Sequence, residues 1–142
     1  MEKQKTENKS EENKRREKLL ELQTLDAKIK QIEDGLVNIE NQIIEINLVI
    51  ECIKEISNVK PDSEALVPLA NGIFIKAKIA DTQMLKVNIG SNTVVEKSNE
   101  ETQQMLKDQL KSIEEYKDEL MRDIQKLVNQ ASIIQADIMG DE

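Results

Sequence analysis

The 142-residue sequence contains no histidine, few glycines and a single cysteine, and each shortage argues against a class of function. Without histidine the chain lacks the commonest general acid/base and the commonest metal ligand. The four glycines are isolated from one another, so none belongs to a phosphate-binding loop. Cys52 is the only cysteine, which allows no internal disulfide and is consistent with a reducing compartment. We therefore expect no catalytic residue, no metal, no cofactor and no enzyme activity.

Aromatic residues and long hydrophobic runs are also scarce. Phe74 and Tyr116 are the only aromatic residues, a composition that suits long aliphatic helices better than a compact globular core. No run of 18 apolar residues is present, and the charged start of the sequence lacks the apolar centre of a signal peptide. We expect a soluble, cytoplasmic protein that does not contact a membrane. Its net charge of −8 makes nucleic acid an unexpected partner.

Residues 1–18 form a charged segment with 7 basic and 5 acidic side chains and no aliphatic residue after Met1. A segment with so little to bury is expected to be either a frayed helix or disordered. The remaining chain falls within the size of one domain, so residues 19–139 are predicted to form a single domain.

Aliphatic residues recur at alternating spacings of three and four in two stretches, the signature of a coiled-coil seam. These stretches predict helices at about 19–58 and 98–139. Ser98 and Glu101 form a capping box at the start of the second helix. The heptad phase continues through Gly35, which favours a helix that carries a glycine penalty of about 1 kcal/mol. The first seam is Leu22, Leu25, Ile29, Ile32, Leu36, Ile39, Ile43, Ile46, Ile50 and Ile53; the second is Leu106, Leu110, Ile113, Lys117, Leu120, Ile124, Leu127, Ala131, Ile134 and Ile138.

The two seams are nearly equal in length, which favours pairing within one chain. An antiparallel pairing brings Leu22 to Ile138 and Ile53 to Leu106. Lys117 is the one polar seam residue, and a polar residue at such a position can fix the register at some cost in stability.

Between the helices, residues 65–96 change to the period of β-strands. Asn71-Gly72 predicts a first hairpin, with a type I′ turn, between strands at 65–69 and 73–79. A second hairpin joins 84–89 to 93–96 through Gly90-Ser91-Asn92. Pro68 argues for an edge or bulged position because it lacks a backbone donor. The predicted fold class is therefore α+β, a long antiparallel two-helix coiled coil with two β-hairpins inserted between the helices.

Four short strands cannot close a barrel within one chain, so their edges and apolar side chains need a partner. Eight of these side chains represent about 12 to 24 kcal/mol of burial if they are fully shielded. We expect the strands to join other subunits. The predicted assembly residues are Leu66, Val67, Leu69, Ile73, Phe74, Ile75, Ile79, Leu85, Val87, Ile89, Val94 and Val95.

Apolar residues outside the seams cluster at both ends of the predicted pair. Ile44, Leu48, Val49, Ile56 and Met105 are expected to pack under the strands. The aliphatic residues at the opposite end allow two interpretations. Either the helix ends pack on one another, or these side chains bind an apolar client. The candidate client-binding residues are Leu19, Leu20, Leu22, Ile133, Ile134, Ile138 and Met139.

The middle segment and its flanks resemble prefoldin, and within that family the alpha class, which carries two hairpins. The matching residues are Val67-Pro68-Leu69, Gly72-Ile73-Phe74-Ile75-Lys76-Ala77, Val87-Asn88-Ile89-Gly90 and Val94-Val95-Glu96-Lys97, and the similarity spans about residues 20–139. The resemblance implies a hetero-hexamer of two alpha and four beta-class subunits. It also implies an ATP-independent chaperone that holds unfolded proteins at its coiled-coil tips and delivers them to a group II chaperonin. The alternative is a structural or filament-forming coiled-coil protein with inert rods.

Overall fold

The computed structural model describes residues 1–140 and contains two helices separated by four strands. This order confirms the predicted fold class. Residues 2–18, for which a frayed helix and a disordered segment were both open, are helical, while the single-domain assignment stays a prediction. The elements are α1 (Glu2–Ser57), β1 (Glu64–Ala70), β2 (Ile73–Lys78), β3 (Met84–Asn88), β4 (Val94–Ser98) and α2 (Asn99–Gly140).

The chain divides into two compact units, which are described separately. Unit 1 consists of Met1–Asn41 and the described residues from Glu114 onward, and unit 2 is Gln42–Ile113. Unit 1 is helical throughout from Glu2, whereas unit 2 contains both hairpins and the helical residues next to them. No helix within residues 1–140 is long and apolar enough to cross a membrane.

The seam prediction accounts for burial in unit 1. Leu25, Ile39, Ala131 and Ile138 are buried, and every other seam position of the unit is half-buried. The off-seam side chains of α2 in this unit are exposed. The Lys117 ammonium lies 3.4 Å from the Glu40 carboxylate, an ion pair that joins the two helices. The helices of unit 1 therefore pack along the predicted heptad positions.

Unit 2 contains two separate two-stranded antiparallel sheets, β1 with β2 and β3 with β4. The first ladder is irregular between Pro68, which still pairs with Phe74, and Ala70. Pro68 lies in an edge strand of a two-stranded sheet, in agreement with the prediction of an edge or bulged position. Ile50 and Ile53 are the buried apolar residues of the unit. The seam residues of α1 therefore provide its apolar core.

The turn assignment of the first hairpin is wrong. A type I′ turn requires positive φ at both central residues, but only Gly72 (φ +78°) has it and Asn71 does not. The ladder is irregular directly before this turn, so the strands do not enter it in the regular register that a type I′ turn joins. The type I′ pattern lies in the second hairpin, where Ser91 and Asn92 have φ of +51° and +59°. The Thr93 N–H donates to the Gly90 carbonyl oxygen at 2.9 Å and closes that turn.

The off-seam aliphatic residues beside the hairpins do not pack under the strands as expected. Ile44, Leu48, Val49 and Ile56 are exposed, and only Met105 is half-buried. The first hairpin leaves its own apolar side chains exposed too, so it does not cover these helix residues within the chain.

Candidate interaction surfaces

The first hairpin carries apolar side chains on both of its faces. Successive cross-strand pairs of a ladder point to opposite faces, so the pair Val67–Ile75 lies on one face and the pair Pro68–Phe74 on the other. All four residues are exposed. A two-stranded sheet with two uncovered apolar faces is marginal in water, and it needs a partner on each side.

The second hairpin is amphipathic. The pair Val87–Val95 is half-buried, while the next pair, Lys86–Glu96, carries opposite charges and is exposed on the other face. Such a charged cross-strand pair suits a face in contact with water. This hairpin therefore has one half-buried apolar face and one exposed face, which carries Lys86 and Glu96 together with the apolar Val94.

The structure divides the predicted assembly residues by exposure. Eight are exposed in the single chain, and four are half-buried. The exposed ones are Leu66, Val67, Leu69, Ile73, Phe74, Ile75, Ile89 and Val94, and the half-buried ones are Ile79, Leu85, Val87 and Val95. We call the exposed eight the hairpin surface.

The candidate client-binding residues all belong to unit 1, where the structure divides them in the same way. Leu22 and Ile134 are half-buried and Ile138 is buried, since all three are seam residues that contribute to helix packing. The other four are exposed, with Met139 the most exposed at 67%. We call these four, Leu19, Leu20, Ile133 and Met139, the helix-end residues, after the predicted start of the first helix at about residue 19; α1 itself begins earlier, at Glu2.

Neither surface offers the residues of a chemical site. Within residues 1–140 no group of three or more His, Cys, Asp or Glu side chains could hold a metal ion. Cys52 is an exposed free thiol on α1. Both surfaces consist of exposed apolar side chains, which favours binding of a partner through apolar contacts.

A cluster of hydrogen-bonded polar residues in unit 2 was missed by sequence reasoning. Thr82, Asn99 and Thr102 are each only 3% exposed, and they are the buried polar residues of the described chain. The only sequence signal nearby was the capping box, of which one bond is present: the Glu101 N–H donates to the Ser98 hydroxyl at 3.0 Å. We call Thr82, Gln83, Asn99, Thr102 and Gln103 the polar joint.

Comparisons with known proteins agree with the fold. A family model described as prefoldin subunit matches residues 25–139. The chain is 27% identical to prefoldin subunit alpha of Archaeoglobus fulgidus, an alignment that covers 91% of this chain and 94% of the relative. It is 29% identical to prefoldin subunit alpha 1 of Methanocaldococcus jannaschii, over 89% of this chain and 86% of that protein. A cryo-EM structure of filamentous prefoldin from the same organism is similar in fold, with a TM-score of 0.74, 17% identity, and coverage of 81% of this chain and 95% of that one.

Proposed function

We propose, from the premise that the chain belongs to the prefoldin family, that it is the alpha subunit of an ATP-independent chaperone complex that captures unfolded proteins. Membership makes the chain a prefoldin-type chaperone subunit. The proposal goes further and names the partner subunits, the surface that binds clients and the chaperonin that receives them.

We propose assembly with beta-class prefoldin subunits, two alpha with four beta. The hairpin surface supports association with other subunits. Its apolar side chains are exposed in the single chain, with Leu66 at 65%, and no other part of residues 1–140 covers them. Burying them against other subunits recovers the free energy that their exposure costs, about 1.5 to 3 kcal/mol for each large side chain. Pairing with neighbouring strands also removes free sheet edges.

Client capture is supported by the helix-end residues. Four exposed aliphatic side chains give each subunit a small apolar contact. One such contact is weak, but several on one complex raise the effective concentration. Met139 suits clients of many shapes because its side chain adapts to irregular surfaces. The complex then passes its clients to a group II chaperonin.

The observation that carries the client-binding proposal is the exposure of these four residues, and substitution tests it. The complex with beta-class subunits is expected to slow the aggregation of a chemically denatured protein, measured by light scattering. The variant with Ser at all four helix-end positions should lose this protection and still assemble. Undiminished protection by the variant would discard the site.

The matched control changes the same number of exposed apolar residues elsewhere in unit 1. It should protect the denatured protein as well as the unsubstituted complex does. The control positions are Val37, Tyr116, Met121 and Val128, each changed to Ser.

A structural or filament-forming role is the second candidate, favoured by the fold similarity to a filamentous prefoldin. In that case the hairpins form a fixed assembly and the helices act as inert spacers. Electron microscopy of this chain alone separates the two, since long fibres would favour the filament and small particles the chaperone subunit.

A further inference from the structure

The polar joint lies where three segments of unit 2 meet. Thr82 belongs to the connection between β2 and β3, and Asn99 is the first residue of α2. The Asn99 side chain bonds both to Thr82 and to Ile53, near the end of α1. Buried polar groups are costly unless they are hydrogen-bonded, and in the described chain no buried side-chain nitrogen or oxygen lacks a partner. Every buried side-chain nitrogen and oxygen of the joint is therefore hydrogen-bonded, which makes the joint stable although it is polar.

Asn99 is the centre of this network. Its side-chain amide nitrogen donates to the Ile53 carbonyl oxygen at 3.0 Å and to the Thr82 carbonyl oxygen at 3.5 Å. Its backbone N–H donates to the Gln83 carbonyl oxygen at 2.7 Å. Its side-chain oxygen accepts from the Gln103 amide at 2.6 Å. One residue thus joins the end of α1, the link between the hairpins and the start of α2.

The side chain at position 99 must be a donor on the side that faces α1. Two carbonyl oxygens, from Ile53 and Thr82, lie there, and an amide can donate to both. A carboxylate of the same shape would place negative oxygen against them. Gln83 adds a second link to α1, because its amide nitrogen donates to the Ser57 carbonyl oxygen at 3.3 Å.

Apolar packing contributes little to the placement of the first hairpin, because the apolar side chains on both of its faces are exposed. Its base is closed by backbone bonds: the Asp62 N–H donates to the Ile79 carbonyl oxygen at 2.8 Å, and the Ile79 N–H to the Ser63 carbonyl oxygen at 3.0 Å. The connection that follows Ile79 then enters the joint at Thr82. Hydrogen bonds of the Thr82–Gln83 connection therefore tie the link between the two hairpins to the helix ends.

We propose that Asn99 is a positioning residue for subunit assembly: by tying the Thr82–Gln83 connection to both helix ends, it presets the orientation in which the hairpins meet their partner subunits. The inference rests on the proposed function, because it concerns assembly through the hairpins. Presetting the orientation lowers the ordering cost of association, which strengthens assembly without adding a contact to the interface.

The first experiment measures orientation without any partner. Spin labels on the natural Cys52 and on a second cysteine introduced by Ser91→Cys report the distance between α1 and the turn of the second hairpin. The diluted chain should give one narrow distance distribution, which Asn99→Asp should broaden. A broad distribution in the unsubstituted chain, or an equally narrow one in the variant, would overturn the proposal.

Asn99→Asp distinguishes positioning from a helix-capping role. Aspartate is favourable in the first turn of a helix, so a residue that served only the helix would tolerate the change. The matched control is Asn47→Asp, the same change of one group at an exposed helical position of unit 2. This control should leave the distribution narrow. Gln103→Met removes only the donor to Asn99 and should broaden it less, which keeps the test informative if Asn99→Asp unfolds the joint.

The second experiment measures assembly with a beta-class subunit by sedimentation. Asn99→Asp should weaken assembly about ten-fold or more, the effect of losing one or two buried hydrogen bonds, while the helical circular dichroism signal is kept. Unchanged assembly would overturn the link between orientation and association. If the unsubstituted chain fails to assemble, the proposed function is wrong, whereas the label distances still decide whether Asn99 orients the hairpins.

Discussion

At the scale of single residues, Lys117 shows how a polar group is accommodated in an aliphatic seam. Its side chain is 30% exposed, and its ammonium reaches Glu40 on α1, whose side chain is 59% exposed. An ion pair with this much solvent contact contributes at most about 1 kcal/mol. An apolar side chain in the same place would contribute more by burial. We therefore expect the residue to favour one register of the helix pair at some cost in stability.

Lys117→Leu is expected to raise the free energy of unfolding by about 1 kcal/mol, because it exchanges a weak ion pair for apolar contact within the seam. Urea denaturation followed by circular dichroism checks this. Glu40→Gln is the control, since it removes the ion pair alone and should change stability by less than about 1 kcal/mol. A loss of stability in Lys117→Leu would mean that the ion pair matters more than the seam.

At the scale of elements, the same substitution should have opposite effects in a helix and in a turn. Gly35 lies in α1 with ordinary helical backbone, whereas Gly90 has φ of +113°, a conformation unfavourable for residues with a Cβ. A Cβ added at either glycine meets nothing within 4 Å. Steric room is equal at the two sites, so backbone conformation alone decides the sign of the effect.

Gly35→Ala should therefore stabilise α1 by about 0.5 to 1 kcal/mol, seen as a higher melting temperature. Gly90→Ala should loosen the second hairpin and speed hydrogen exchange of the Ile89 and Thr93 amides, which bond across its turn. Destabilisation by Gly35→Ala would point instead to a close approach at that helix face in the assembled protein.

The helices and strands were predictable from the sequence because each depends on a local period. The aliphatic residues from Leu22 to Ile53 repeat without a break, and their period alone identifies the seam of α1. Turn geometry was less predictable, since Asn71-Gly72 is a common type I′ signal whose outcome changed with the bulge after Pro68. The polar joint was not predictable, because Asn99 bonds to Ile53, 46 positions earlier, and no sequence period connects them.

At the scale of the whole molecule, both candidate surfaces were predicted as groups of exposed apolar residues. Which members of each group are exposed and which are buried was not predicted. Sequence reasoning placed Ile138 in the client-binding group, whereas the structure buries it in the helix pairing. It also expected Ile44 and Leu48 to be covered by the strands, and they are exposed. A heptad pattern identifies the positions that face a partner helix, and it does not reveal which off-seam residues another element will cover.

Subunit assembly can be tested with two residues that are equally exposed, only one of which belongs to the hairpin surface. Ile73 in the first hairpin and Val37 on α1 are each 59% exposed. Ile73→Ser should weaken association with a beta-class subunit about ten-fold or more, since a large aliphatic side chain contributes about 1.5 to 3 kcal/mol when it is buried. Val37→Ser should leave association unchanged. Sedimentation velocity over a concentration series measures both, and equal effects of the two substitutions would show that association does not depend on the hairpin surface in particular.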